Sequence, residues 1–236
     1  MAAMNPKKAS GGRSSRRTLY IAFGVALAIA AAIVVGAVLL RDDGTSAASS
    51  TPVVNLEGIP QDDTILGSPN ANVTLIEYAD IQCPACRSYT ESLFPTIVDE
   101  YVRPGKVKNE FRGFPFLGAD SLKGHRFLLA AAKQDKLWQL QEAFYRNQGA
   151  ENSGWLTDEL IREVAAEIPG LDIDQLFADA ETDELAQAAE QAVTDAQDAG
   201  VTGTPTLLVK VGDEPEYVIV ASIDQVRAAL DEALGA

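Results

Sequence analysis

The chain contains only two cysteines, and just two residues separate them in the segment Cys83-Pro84-Ala85-Cys86. A disulfide within this pair would close a loop too short to restrain the unfolded chain strongly, so a purely structural role is a poor explanation. An apolar, β-branched stretch at residues 73–78 predicts a buried strand before the pair, and a helical pattern follows it until Pro104. The spacing therefore predicts two thiols at a strand-to-helix junction, an arrangement typical of disulfide exchange.

The start of a helix gives the two thiols different chemistry. Pro84 fits the first helical turn because this position needs no amide donor. Unpaired backbone amides and the helix dipole would stabilise a thiolate at Cys83, which can attack a disulfide, while Cys86 lies one turn deeper and resolves the mixed disulfide. A metal site is the alternative, but it would need two more ligands, and the single histidine, His125, has no suitable spacing. We expect no metal ion and no bound cofactor, since the disulfide itself holds the two electrons.

Residues 19–40 form an uninterrupted apolar run without a charge. As a helix this run would be about 33 Å long, which is enough to cross the hydrocarbon core of a bilayer. Five basic residues precede it, so the positive-inside rule places residues 1–18 in the cytoplasm and exports the chain after Arg41. A cleaved signal peptide is the alternative, but such peptides usually have shorter apolar cores, and the Arg16-Arg17 pair is only a weak twin-arginine signal.

Residues 41–63 mix Ser, Thr, Gly, Pro and Asp with little periodicity, which predicts a flexible linker between the membrane and an exported domain. The charge changes sign at this linker. All six basic residues up to Arg41 precede the first acidic one, Asp42, whereas residues 42–236 carry 13 basic and 34 acidic side chains. So acidic a domain is not expected to bind nucleic acid through a basic surface.

The exported part has the pattern of an α/β domain. Besides the strand before the cysteine pair, strand patterns are found at residues 107–111, 206–211 and 217–220. Helical patterns fill about residues 119–200, and Ser222 with Gln225 forms a capping box at the start of a last helix. This order predicts a central sheet covered on both faces, a parallel crossover through the cysteine helix and a hairpin near the end of the chain.

Three features together resemble the thioredoxin superfamily: Glu77 six residues before Cys83, the CPAC motif itself, and Gly203-Thr204-Pro205-Thr206 before a late strand. The helical block is similar to that of the DsbA-like branch, in which a helical domain interrupts the thioredoxin fold before the loop that carries a cis-proline. The resemblance covers about residues 64–236. It implies a thioredoxin-like α/β fold with a helical insertion, preceded here by the predicted transmembrane helix.

The resemblance also implies roles for individual residues. It makes Cys83 the nucleophile and Cys86 the resolving thiol. Glu77 would be a buried carboxylate beneath the pair, able to exchange a proton with Cys86, and Pro205 would be a cis-proline facing the pair. On the residues alone, Glu77 could instead point to solvent, and the bond before Pro205 could be trans, as most X–Pro bonds are.

Substrate contacts are implied as well. A cis bond before Pro205 would expose the backbone of Thr204, which could pair with an extended substrate peptide next to Pro84 and Ala85. Ala85 stands where the best-known DsbA has a histidine, so one partner of the thiolate is missing. We therefore expect the thiol of Cys83 to be less acidic, and the disulfide less oxidising, than in that relative.

Other conspicuous side chains are assigned no chemistry. His125 is interpreted as a helix-start or surface residue. Three aromatic residues have the helical spacing that is typical of a packed core: Trp138, Phe144 and Tyr145. Asp80, next to the active loop, could have a structural or an electrostatic role, and the sequence does not separate the two.

The leading hypothesis is an extracytoplasmic oxidase that forms disulfides in exported polypeptides. The resemblance implies that a quinone-linked membrane partner reoxidises it. A reductase or isomerase would use the same cysteine pair with electrons supplied from the cytoplasmic side. A tethered module that binds clients through its helical insertion, without catalysis, would not need the cysteines.

Overall fold

The computed structural model describes residues 54–213, 219–220 and 222–235. Its strands are β1 (Gln61–Asp62), β2 (Ile65–Leu66), β3 (Val73–Ala79), β4 (Val107–Gly113), β5 (Thr206–Val211) and β6 (Ile219–Val220). Within the described residues they form one sheet in the order β1-β2-β4-β3-β5-β6. Strands β3 and β4 are parallel, and the other neighbouring pairs are antiparallel. The predicted crossover and the predicted hairpin are both present.

The helices of the described part are α1 (Pro84–Ser92), α2 (Phe94–Ile97), α3 (Ala119–Ala132), α4 (Leu137–Arg146), α5 (Asp158–Ala166), α6 (Ile173–Ala180), α7 (Asp183–Asp198) and α8 (Ile223–Leu234). A π-helical turn, Val98–Val102, follows α2. Helices α3 to α7 lie between β4 and β5 in the chain and form the expected helical insertion. The architecture is therefore the α/β fold that the sequence predicts.

Strand β3 is buried at all seven of its positions, which requires packing on both faces. Leu75 and Ala79 belong to the main core, whereas Ile76 and Tyr78 belong to a smaller core. Alternate residues of a strand point to opposite faces, so Glu77 lies on the face of the main core. The strand thus carries a carboxyl group into the apolar interior just before the cysteine pair.

Two helical segments differ from the sequence prediction. The helical pattern after the cysteine pair is broken into α1, α2 and the π-helical turn, because Pro95 in the first turn of α2 has no N–H to continue the helix. Helix α6 lies within the block of about residues 119–200 that was predicted to be helical, but it was not recognised as a separate helix, although its apolar residues have helical spacing. Its start is marked by Asp172, whose Oδ1 accepts a hydrogen bond from the N–H of Gln175 at 3.0 Å.

Residues 54–63 are part of the domain, although the sequence prediction assigned them to the flexible linker. Val54, Leu56 and Ile59 are buried in the main core, and residues 61–62 form β1. The apolar side chains are irregularly spaced among polar residues, so no period revealed their burial. We call residues 54–60 the strap.

The backbone of the strap is held by Arg103. Its guanidinium donates to the carbonyl oxygen of Glu57 at 3.2 Å and also to that of Asn55. Charged donors of this kind compensate the desolvation of carbonyl groups in an irregular segment. The strap is therefore fixed by both apolar burial and hydrogen bonds.

In the part of the chain that the structure describes, no helix is long and apolar enough to cross a bilayer. The predicted transmembrane helix at residues 19–40, the segment 1–18 before it and the linker up to residue 53 lie outside the described residues.

Replacing Leu56 with Ala should lower the free energy of unfolding by about 2–5 kcal/mol, because the change leaves a cavity under the strap. The exposed neighbour Glu57 provides the matched control, and Glu57→Ala should change this free energy by less than about 0.5 kcal/mol. Denaturant unfolding followed by tryptophan fluorescence measures both. Equally small effects would show that the strap is the flexible tether that the sequence predicts.

Candidate active site

Cys83 caps the N-terminus of α1. Its backbone is extended, with φ −76° and ψ 116°, and its Sγ atom accepts a hydrogen bond from the backbone N–H of Cys86 at 3.4 Å. Pro84 follows in the first turn, as predicted. Both cysteines carry free thiols; Cys86 is fully buried, Cys83 keeps 7% of its surface exposed, and the adjacent Pro84 and Ala85 are exposed. Another molecule can therefore approach the pair only from the side of Cys83.

The two thiols have opposite acidities. The pKa of Cys83 is lowered to about 6, chiefly by hydrogen bonding with Cys86 and also by Thr204 and the backbone amide of Ala85, against the opposing effect of burial. Burial raises the pKa of Cys86 well above its usual range, and the proximity of Cys83 raises it further. At neutral pH, Cys83 is thus the thiolate and Cys86 the thiol.

The loop before β5 lies next to the cysteine pair. Strand β5 pairs with β3, and Thr206 lies opposite Tyr78 at the end of β3 that leads to the active loop. The Thr204–Pro205 peptide bond is cis rather than trans. The sulfur of Cys83 lies 3.2 Å from the carbonyl oxygen of Thr204, and its protonated form donates a hydrogen bond to this oxygen. The backbone of Thr204 is therefore within reach of any group bound to the sulfur of Cys83.

Glu77 is buried on β3, with 1% of its surface exposed, and does not point to solvent. Its Oε1 atom accepts a hydrogen bond from Nε2 of Gln141 at 3.0 Å. Burial raises the pKa of Glu77 to about 7, an effect that hydrogen bonds from Gln141 and Asn109 partly offset. The carboxyl group therefore changes its protonation near neutral pH, as a group that exchanges protons must.

Two buried tyrosines, Tyr89 and Tyr145, lie near Glu77 and Cys86. Burial raises the pKa of Tyr89 and of Tyr145 well above the usual range, and negative charge on the nearby Glu77 and Cys86 raises both further. The Tyr145 hydroxyl donates to the backbone oxygen of Asp80 at 3.3 Å. Both phenols therefore stay neutral at neutral pH, whereas Glu77 titrates there.

The loop before Cys83 is tied to the start of the helical insertion through Asp80. One carboxylate oxygen of Asp80 accepts from the Ser121 hydroxyl at 2.6 Å and from the N–H of Gln82 at 2.9 Å. The other accepts from the N–H of Leu117 at 3.1 Å. The geometry shows a structural role: the carboxylate of Asp80 joins the active loop to the start of the helical insertion.

The sequence prediction missed two glutamines that reach the site from the helical insertion, Gln141 and Gln148. Gln148, just after α4, donates to the carbonyl oxygens of Ile81 at 2.7 Å and Cys83 at 3.2 Å. A signal was present in the sequence. It concerns Gln141, which lies four residues after Leu137 on the same face of α4, where a polar side chain must find a buried partner. Gln148 lies beyond the end of the helix and has no such signal.

His125 is buried, not at a helix start or on the surface as predicted. It lies in the middle of α3 with 5% of its surface exposed, and its ring is 5.8 Å from that of Phe111. The ring packs so tightly on Gly113 that a Cβ atom there would lie 2.0 Å from it. Burial lowers the pKa of His125 to about 4, so the ring is neutral. Because α3 is Ala-rich and buried on several sides, its sequence does not reveal an exposed face.

The aromatic residues predicted to pack the insertion are fully buried: Trp138, Phe144 and Tyr145. The ring of Trp138 stacks on that of Phe94 with a centroid distance of 5.4 Å, which joins α4 to α2. Among the described residues, no group of three or more His, Cys, Asp or Glu side chains could hold a metal ion.

Comparison with known proteins gives one consistent result. Residues 60–232 match the family model described as Thioredoxin. The probable disulfide bond formation protein D of Bacillus cereus is 31% identical over 173 residues, which make up 72% of this chain and 77% of that protein.

Solved structures agree with this match. A thioredoxin-like oxidoreductase from Silicibacter pomeroyi superposes with a TM-score of 0.57 and 32% identity, covering 75% of this chain and 93% of that one. Oxidised BdbD from Bacillus subtilis superposes with a TM-score of 0.64 and 22% identity over 74% of this chain and 94% of that one, and it shares the fold.

Glu77→Gln should stabilise the protein above about pH 7. The folded-state pKa of Glu77 is raised from 4.5 to about 7. Ionisation of the carboxyl group therefore destabilises the folded protein progressively as the pH rises through this range, and the full loss of stability is reached above it. The gain should be on the order of 3 kcal/mol at about pH 8 and should vanish below about pH 4. Denaturant unfolding of the oxidised protein across this range measures it. The exposed Glu163→Gln is the control, and a gain for Glu77→Gln that does not depend on pH would contradict the titration of a buried carboxyl group.

Proposed function

Because the chain belongs to the thioredoxin family, and within it to the DsbA-like disulfide oxidoreductases, we propose that it forms disulfides in exported polypeptides through Cys83 and Cys86. The position of Cys83 carries this proposal. Its sulfur caps α1, and its pKa is lowered to about 6 while Cys86 stays protonated. A sulfur that is stable as a thiolate is a good leaving group, so the pair gives up its disulfide readily.

The exchange needs only the sulfur atoms of the pair and of the client. In the oxidised protein a disulfide joins Cys83 and Cys86. A client thiolate attacks the sulfur of Cys83; a mixed disulfide forms, and the bond to Cys86 breaks with its electron pair on Cys86. A second client thiolate attacks the client sulfur of the mixed disulfide, the client disulfide forms, and Cys83 leaves as a thiolate. The client loses two electrons and the pair gains them, so we propose that no organic cofactor takes part.

Glu77 supplies the proton that the first step requires. The sulfur of Cys86 leaves into a buried site, where burial makes its thiolate unfavourable. Glu77 has a pKa of about 7, so it is partly protonated at neutral pH and can give its proton to this sulfur. When the pair is reoxidised, the proton returns along the same path.

Clients bind as extended peptides beside Cys83. The carbonyl oxygen of Thr204 lies 3.2 Å from the sulfur, where it could accept a hydrogen bond from a client backbone N–H in place of the thiol. Pairing between this backbone, next to Pro205, and a client strand would hold the client without reading its sequence. The exposed Pro84 and Ala85 flank the sulfur and leave the approach open.

The same proposal places the domain outside the cytoplasm. Residues 19–40 would be a single-pass anchor, residues 1–18 the cytoplasmic end and residues 41–53 the tether. The uncharged apolar run, the basic residues before it and the name of the Bacillus cereus relative support this location. The reduced pair must pass on its two electrons, and we assign this step to a quinone-linked membrane partner.

A disulfide reductase or isomerase is the second candidate, because the acidity of Cys83 is intermediate between those of an oxidase and a reductase. The pKa of about 6 lies between the values known for DsbA, about 3.5, and thioredoxin, about 7. Ala85 offers no charged partner that would lower it further. The direction of electron flow separates the two candidates.

Replacing the two cysteines separately should give different results with a client protein. Cys83→Ser should abolish disulfide exchange, because no accessible sulfur remains to be attacked. Cys86→Ala should accumulate mixed disulfides between Cys83 and clients, since the resolving thiol is missing. Non-reducing electrophoresis with mass spectrometry detects these adducts, and the double variant is the control that should form none. Full activity of Cys83→Ser would instead identify a binding module without catalysis.

A further inference from the structure

Gln148 contacts the active-site loop from the helical insertion. It follows α4, and its Nε2 atom donates to the carbonyl oxygen of Ile81 at 2.7 Å and to that of Cys83 at 3.2 Å. Both N–H groups of the carboxamide are thus used on the loop backbone, one on each side of Gln82. These two bonds cross 67 and 65 positions of the chain and join the insertion to the cysteine pair.

The peptide groups around Cys83 explain why this contact matters. The N–H of Cys83 donates to the carbonyl oxygen of Asp80 at 3.0 Å, which holds the peptide group before Cys83. The peptide group after it belongs to Pro84 and has no N–H, so only the carbonyl oxygen of Cys83 can hold it. This oxygen accepts from Gln148 at 3.2 Å and from the N–H of Arg87 at 3.1 Å. Hydrogen bonds therefore fix the backbone on both sides of Cys83.

A fixed backbone sets the direction of the Cα–Cβ bond of Cys83. Only one side-chain torsion then separates the backbone from the sulfur, which points at the N–H of Cys86 at 3.4 Å. A rotation of either peptide group would move the sulfur away from this donor. The thiolate would lose a charge-assisted hydrogen bond, whereas the neutral thiol would lose less.

Gln148 is itself held firmly by the insertion. Its backbone N–H donates to the carbonyl oxygen of Tyr145 at 3.2 Å. The next residue, Gly149, packs against Trp155 so closely that a Cβ atom at this position would lie 2.4 Å from the Cβ of Trp155. The turn after α4 is thus closely packed, and it fixes the backbone position from which the side chain of Gln148 extends.

We propose that Gln148 is a positioning residue through which the helical insertion sets the reactivity of Cys83. It touches neither the client nor the reacting sulfur atoms, and it acts by holding the backbone of Cys83 against the start of α1. The proposal rests on the proposed function, because it concerns the same cysteine pair. It gives the insertion a part in the chemistry of the cysteine pair.

Gln148→Met tests the proposal, because Met has the length of Gln but no donor. In the reduced full chain, the pKa of Cys83, followed by the ultraviolet absorbance of the thiolate, should rise by about half to one pH unit, a three- to tenfold weaker ionisation. The disulfide should become less oxidising toward glutathione by a similar factor. Gln148→Glu, which sets a carboxylate against two carbonyl oxygens, should change both quantities further in the same direction.

Gln134 provides the matched control. Its side chain also makes two hydrogen bonds with the backbone, donating to the carbonyl oxygen of Asp172 at 3.1 Å and accepting from its N–H at 2.8 Å. These bonds lie within the insertion. Gln134 precedes α4 in the chain, whereas Gln148 follows it. Gln134→Met should lower the denaturation midpoint about as much as Gln148→Met and leave the titration of Cys83 unchanged.

The proposal is overturned if Gln148→Met titrates like the unmodified protein, or if Gln134→Met raises the pKa of Cys83 equally. Circular dichroism checks the fold of each variant, and the half-buried position of Gln148 accommodates Met of the same length. Failure of the proposed function gives a different result in the unmodified protein: its disulfide would be as reducing as that of thioredoxin if the chain is a reductase, and Cys83→Ser would keep its activity if the chain only binds clients.

Discussion

The hydrogen bond from the Cys86 amide to the sulfur of Cys83 is the contact on which the rest of the site depends. It exists because β3 ends just before the pair and α1 begins within it, so an extended cysteine caps a helix whose first amides lack helical partners. Pro84 fits this geometry at no cost in hydrogen bonds. Without this contact the thiolate of Cys83 would lose one of the hydrogen bonds that lower its pKa, and Cys83 would be a poorer leaving sulfur.

The second thiol is controlled by burial. Cys86 is enclosed by the main core, and its charged form is disfavoured there, whereas Cys83 keeps an accessible side. The same interior raises the pKa of Glu77 into the neutral range. Burial in one core therefore raises the pKa of both groups, and this is the basis on which we propose Glu77 as the proton donor. The helical insertion adds the third element, because Asp80 and Gln148 tie the active loop to it from two sides.

The sequence predicts those features that have a period or a motif. The apolar run of β3, the CPAC motif and the position of Pro205 predict the fold and the main site residues. Contacts between distant residues have no such signature: Gln148 meets Cys83 across 65 positions, and the burial of His125 depends on the tight packing of Gly113 against its ring. The strap was missed for a similar reason, since Leu56 and its apolar neighbours are irregularly spaced and only the folded core shows that they are covered.

The reduction potential of the Cys83–Cys86 disulfide, measured on the full chain by equilibration with glutathione, tests the central claim most directly. If capping of α1 makes Cys83 a good leaving sulfur, the reduced form is stabilised, and the potential should lie between about −180 and −120 mV, the range from protein disulfide isomerase to DsbA. A value near about −270 mV, as in thioredoxin, would contradict the account. It would mean that the thiolate of Cys83 is too weakly stabilised for the pair to oxidise clients, and the chain would act as a reductase.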